Sequence, residues 1–320
     1  MKRYLYKLFF FLLTLYVLSY AIVWIYEIPK REAVANNTLD VQNKWNDIKD
    51  SHAAFDIIIL GSSRGDSGYN PAIIDSITGL NAYNLCSGSQ NIVETYYIIK
   101  ELIKYQQPKI IVLDHFLPSF KDEPDYFQLL ANAEQMSFGG RMDMVVNGFG
   151  TTGLLHYSIP ILKYKSYFKR DLKNSLNKEQ SVSSYQRIRG FYYDKTQVDS
   201  IAIASFSPLS VALPQSTSQK RAQNYVKKIH DICQENNIKL IPVRSPYPPS
   251  RLHQYPDDIA HDYFTHLYTS LAHRFIDFNY PAPRQLRDTD FSDNRHLNYK
   301  GARKLSIALA YEIQKTHLGK

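Results

Sequence analysis

Ser63 closes the tripeptide Gly61-Ser62-Ser63, directly after the apolar run Phe55-Asp56-Ile57-Ile58-Ile59-Leu60, and Asp293 and His296 form an Asp-x-x-His pair near the carboxyl terminus. A serine hydroxyl is a poor nucleophile until a base takes its proton. Histidine does this near neutral pH. An aspartate three residues before the histidine can fold back on its ring, fix the tautomer and stabilise the imidazolium. Residue types and chain order therefore point to acyl chemistry through a serine. A literal Gly-Asp-Ser triplet lies close by at Gly65-Asp66-Ser67. Its serine falls beyond the turn, away from the end of the apolar run, so the register favours Ser63.

These residues need elements to hold them. The run ending at Leu60 is short, β-branched and bounded by glycine, as a buried parallel strand is. Ala82-Tyr83-Asn84-Leu85, Lys109 to Leu113, Ile238 to Val243 and Phe275 to Phe278 read as further strands. Helical spacing marks Pro71 to Ile77, Asn91 to Tyr105, Gln219 to Asn236 and Asp257 to Ala272, and Asn298 is placed to cap a last helix from Tyr299 to about Thr316. Strands alternating with such helices predict an α/β three-layer sandwich around a central parallel sheet. In such sheets ligands sit beyond the carboxyl ends of the strands. The segments to read are then Gly61 to Arg64, Ser87 to Asn91, Asp114-His115, Arg244-Ser245 and the loop Asp290 to His296. Residues 117–215 break the rhythm. They read as an insertion that caps or flanks the site, with a flexible part near Asn174 to Ser184.

Taken together, the strand-end motifs resemble the SGNH (GDSL-like) hydrolases. The strand running into Gly61-Ser62-Ser63 stands at that family's first block, with Ser62 in place of the acidic residue. Asn84-Leu85-Cys86-Ser87-Gly88-Ser89 fits the second block, and Asp293-Asn294-Arg295-His296 the last. The resemblance covers most of residues 55 to 316 outside the insertion, and it implies the SGNH or flavodoxin-like fold. It implies Ser63 as nucleophile, Asp293 and His296 as its base, and the N–H groups of Ser63 and Gly88 as oxyanion donors. The family's third block supplies an asparagine in a Gly-x-Asn-Asp context. Here Asp114-His115 stands instead, so Asn91 or a backbone amide near Asp114 is left to serve. Asp114 and His115 themselves read as residues that close a strand. Arg64 and Arg295 flank nucleophile and base. They read as contacts to an anionic or sugar substrate, or as ordinary surface cations. The Gly-Ser-Ser start and weak third block are similar to a membrane-anchored subgroup: the D-alanyl transfer protein of teichoic-acid synthesis and the SGNH-like proteins of alginate acetylation. That subgroup implies an acylated glycan or envelope polymer as substrate and a membrane-bound O-acyltransferase as partner. With water as acceptor the chain is an esterase, with a sugar hydroxyl a transferase. A non-catalytic scaffold that keeps the fold and binds an acyltransferase is the reading from another class.

The amino terminus agrees with an anchor. Leu8 to Tyr26 carries no charge, follows Lys2, Arg3 and Lys7, and ends with Trp24 and Tyr26, which suit a membrane interface. No small-residue cleavage site follows it, so it reads as a retained transmembrane helix. Residues 1–29 are the expected anchor, 30–54 a stalk and 55–320 the domain, placed outside the cytoplasm. The net charge of +8 is spread along the chain without a basic block, which argues against nucleic acid. Cys86 and Cys233 have no metal-ligand spacing and read as buried thiols. The ten scattered histidines offer no metal site, and no cofactor is expected.

Overall fold

The computed structural model describes residues 2–26, 28, 32–50, 52–115, 120, 125–165, 186–205, 216–254, 257–280 and 286–317. In chain order the elements are α1 (Lys2–Ile25), α2 (Glu32–Lys49), β1 (Ile57–Leu60), α3 (Ser63–Gly68), α4 (Pro71–Thr78), β2 (Ala82–Asn84), α5 (Ile92–Leu102), β3 (Ile110–Asp114), α6 (Tyr126–Gln135), α7 (Phe138–Met142), a π-helical turn (Asp143–Gly148), α8 (Gly150–Ser158), α9 (Pro160–Lys163), β4 (Gln186–Ile188), β5 (Phe191–Tyr193), α10 (Ser200–Ser205), α11 (Ser216–Glu235), β6 (Lys239–Arg244), α12 (Asp257–Thr269), β7 (Ile276–Asp277) and α13 (Tyr299–His317). They form two compact units. One comprises residues 1–45 and 125–182, the other residues 46–124 and 183–320.

The second unit holds a five-stranded, all-parallel sheet in the order β2-β1-β3-β6-β7. β1 and β3 are buried along their whole length, which is why their sequences are continuous rather than alternating apolar runs. On one face Ile57, Ile59, Ile110, Val112, Ile241 and Val243 join Ile74 of α4 and Leu305, Leu309 and Ile313 of α13 in one core. Alternate residues such as Ile58, Leu60 and Ile111 point the other way, where α5 and α11 pack together. The result is an α/β sandwich with helices on both sides of the sheet. The chain runs from β1 to β2 on one side, then crosses to β3 on the other. In open parallel sheets such a reversal of direction marks where ligands bind, here beyond the carboxyl ends of β1 and β3.

The antiparallel hairpin β4-β5 covers the free edge of β2. Its turn residues Arg189 and Gly190 have φ of 47° and 82°, the backbone of the tight hairpin turn with both central residues left-handed. The Arg189 carbonyl accepts the Asn84 amide at 3.0 Å. Arg187 pairs with Asp66 of α3 at 2.8 Å, and Arg189 pairs with Asp75 of α4.

In the first unit α1 is long and apolar enough to cross a membrane. It is exposed except at Ser19 and Val23, which are buried, and Ala21, which is half-buried. The residues read as a stalk include α2, whose Val41 and Trp45 are buried. Trp45 Nε1 donates to Asn132 Oδ1 at 3.0 Å. Arg141 ends α6 by donating to the carbonyls of Ala133 and Glu134. The expected flexible part near Asn174 to Ser184 lies outside the described residues.

Candidate active site

The chain leaves β1 through Gly61 and Ser62 and enters α3 at Ser63. Two glycines let this turn sit against the end of β3. A Cβ on Gly61 would lie 2.9 Å from both the Cβ and the carbonyl oxygen of Asp114, and one on Gly65 would lie 2.7 Å from Cys86 Sγ. Such separations are well below van der Waals contact, so no larger residue fits without moving a strand. Asn84 locks the same turn from the other side. Its Nδ2 donates to the carbonyls of Gly65 and Tyr69 at 2.9 and 2.8 Å, and its Oδ1 accepts the Cys86 amide at 3.1 Å.

Ser63 Oγ lies 2.8 Å from His296 Nε2, and His296 Nδ1 lies 2.7 Å from Asp293 Oδ2. The other carboxylate oxygen, Oδ1, accepts the backbone amides of Arg295 and His296, both at 2.8 Å. A carboxylate only accepts, so Nδ1 carries the ring proton and Nε2 presents its lone pair to the Ser63 hydroxyl. Burial pushes the Asp293 carboxyl up, but the His296 ring and the two amides outweigh it and hold the carboxyl down at about 2. The loop is clipped shut behind these residues. Phe291 and Leu297 pair across its neck and are buried in the core, and the Ser292 amide donates to the His296 carbonyl at 2.9 Å. Asn298 then caps α13 through the amides of Lys300 and Gly301. The arrangement can move a proton from Ser63 to His296 as the serine oxygen attacks an electrophilic carbon.

The other residues singled out from sequence fall in different places. Ser67 is buried inside α3 and donates back to the Ser63 carbonyl at 3.3 Å, so its hydroxyl serves the helix. The turn holding Gly88 is pinned beside the end of β1 by the Ser87 amide, which donates to the Gly61 carbonyl at 3.1 Å. Gln90 braces the turn between Ser87 and Thr95. Asn91 is buried and caps α5, its Oδ1 accepting the Glu94 amide at 2.9 Å. Arg64 does not face a substrate surface. It is 1% exposed, donates to the carbonyls of Ser245 and Pro246 at 2.6 and 2.7 Å, and stacks on Tyr247 at 3.9 Å. Arg295 is half-buried, and its Nε has no hydrogen-bond partner among the described residues.

At the end of β3, Asp114 does more than close a strand. Its Oδ1 accepts the Ser245 amide and hydroxyl, both at 2.8 Å, and the Tyr69 hydroxyl at 3.2 Å. This ties the end of β3 to the end of β6 and to the residue after α3. Sequence reading gave no role to Tyr69 or Ser245; the signal for Ser245 was its place directly after β6. Burial raises the Asp114 carboxyl to about 6, against the pull of Arg64 and the Ser245 donors. His115 is enclosed by Phe120, Phe264, Tyr268 and Phe275. It bonds the Tyr268 hydroxyl, and burial lowers it to about 3. It is a neutral, structural histidine.

The raised Asp114 carboxyl has a measurable consequence. Its folded value lies above the unfolded one, so its contribution to stability is complete below about pH 4 and is lost as pH rises through about 6. Two units correspond to about 3 kcal/mol. Asp114→Asn keeps an acceptor for Ser245 and cannot ionise. Thermal unfolding of the variant is expected to lack this loss between about pH 4 and pH 7, and an unchanged pH profile would show that Asp114 does not titrate there.

A family model without a descriptive name matches residues 162–318. No curated protein matches the chain. Among solved structures, the chain is similar to an acetyl xylan esterase, Est2A, from the rumen bacterium Butyrivibrio proteoclasticus. The two share 8% identity with a TM-score of 0.33, over 82% of this chain and 64% of the esterase. The chain thus spans less than two thirds of that esterase's length.

Proposed function

We propose that the protein is a membrane-anchored serine esterase or O-acyltransferase of the SGNH type, acting on acyl esters of envelope glycans. The observation that carries this reading is the unbroken relay from Ser63 Oγ through His296 to Asp293, at 2.8 and 2.7 Å. Ser63 attacks the ester carbonyl while His296 takes its proton. The tetrahedral oxyanion is held by the backbone N–H groups of Ser63 and Gly88. The Asn91 side chain spends its oxygen on the helix cap, which leaves its NH2 as the third donor. His296 returns the proton to the departing alcohol. Water or a sugar hydroxyl then attacks the acyl-serine, with His296 as base. Arg295, half-buried beside the base, contacts an anionic or hydroxyl-rich part of the polymer.

In this reading α1 is a retained anchor, with Lys2, Arg3 and Lys7 inside and the domain outside the cytoplasm. An anchored position suits work beside a membrane-bound O-acyltransferase. A fluorophosphonate probe added to the full-length protein is expected to label Ser63, as found by peptide mapping. Labelling at Ser67, or none in protein shown to be folded, would overturn the assignment.

A further inference from the structure

The segment Met144 to Leu162 contains no charged residue. It lies in the unit that also contains α1, and it forms part of the π-helical turn, α8 and most of α9. Breaks at Phe149 and at Ile159-Pro160 divide it. None of its pieces approaches the roughly 20 residues needed to cross a hydrocarbon core, so it does not span. It nevertheless leaves Val146, Leu154 and Leu155 exposed, the last at 51%. Phe138, in α7, is 76% exposed.

The position of α1 says what covers them. α1 packs on α9, and its two buried positions, Ser19 and Val23, are one turn apart on one face. With the uncharged stretch of α1 starting at Leu8 and a rise of 1.5 Å per residue, Ser19 lies about 16 Å and Val23 about 22 Å into a hydrocarbon layer about 30 Å thick. A segment packed on that face shares its depth or lies just outside it. Lys163, after the uncharged segment, is paired with Glu134; Lys165 is exposed, as a basic residue is where a segment meets anionic headgroups.

We infer that residues 144–162 form an interfacial helical segment that lies in the lipid bilayer beside the outer end of α1, with Leu154 and Leu155 among the acyl chains. The inference rests on the reading of α1 as a membrane anchor. It makes the first unit a membrane-seated body rather than a water-exposed cap.

The test uses the full-length protein in vesicles of phosphatidylcholine and phosphatidylglycerol. Single cysteines at Leu154→Cys, Leu155→Cys and Leu12→Cys are labelled with the fluorophore NBD, with labelled wild type as the blank for the buried Cys86 and Cys233. Labels at 154 and 155 are expected to shift to the blue and lose most of their emission to lipids carrying a nitroxide near the headgroup. The label at 12 is expected to be quenched best by a nitroxide deep in the acyl chain. If the label at 12 is quenched and those at 154 and 155 emit as in water, the interfacial segment is overturned and α1 stands. If none is quenched, α1 is no anchor and the inference falls with it.

Discussion

Ser63→Ala is expected to lower kcat/KM on an acetylated sugar by roughly 10⁴- to 10⁶-fold, with the fold intact. The loss follows from the geometry. His296 Nε2 faces Ser63 Oγ at 2.8 Å, and the Ser67 hydroxyl is turned away into its own helix, so no second serine replaces the missing oxygen. The range reflects what remains: backbone oxyanion donors and binding keep some rate over water when the nucleophile is gone. Stability changes little. Alanine is a good helix former at the start of α3, and one half-exposed hydrogen bond is worth about 1 kcal/mol. Steady-state rates on the purified full chain, beside its melting temperature, check both halves. A variant that turned over substrate like wild type would leave the non-catalytic scaffold as the better reading.

The parts of this molecule that are legible in sequence are those governed by one dominant force. β1 and β3 are buried on both faces, so Ile57 to Leu60 and Ile110 to Leu113 read as strands without any context. Strand ends at the carboxyl edge then point to Ser63, Ser87 to Asn91, Asp114 and Ser245 before any side chain is placed. What escaped reading depends on contacts far apart in the chain. The burial of Arg64 is set by carbonyls at 245 and 246, and nothing local distinguishes it from a surface cation. The hairpin β4-β5 has only a two-residue turn to announce it, and its stability comes from docking Arg187 and Arg189 on Asp66 and Asp75. The helices between residues 126 and 163 are short, and Val146, Leu154 and Leu155 add exposed apolar positions to them. The contrast between a polar and an apolar side, on which helical reading depends, is weak there.

The two carboxylates at this edge of the sheet are expected to answer to substitution in opposite ways, and Asp293→Asn is the more informative. Asp293 Oδ1 already accepts two backbone amides, so an asparagine keeps its oxygen there. Its NH2 then faces His296 Nδ1 and donates to it. That forces the ring proton onto Nε2, pointing at Ser63, and the histidine can no longer take the serine proton. A loss of roughly 10⁴-fold in kcat is expected, with KM little changed, because the wrong tautomer affects the chemical step rather than binding. The stability signature separates this from plain unfolding. The Asp293 carboxyl is held down at about 2, so its contribution is present above about pH 4 and lost as pH falls through about 2. Asp293→Asn removes that acid-side loss and leaves the Asp114 loss near pH 6 in place, while Asp114→Asn does the reverse. Unfolding profiles of the two variants should therefore diverge on either side of about pH 4, and an Asp293→Asn variant that kept the wild-type kcat would show that the carboxylate does not set the tautomer of the ring.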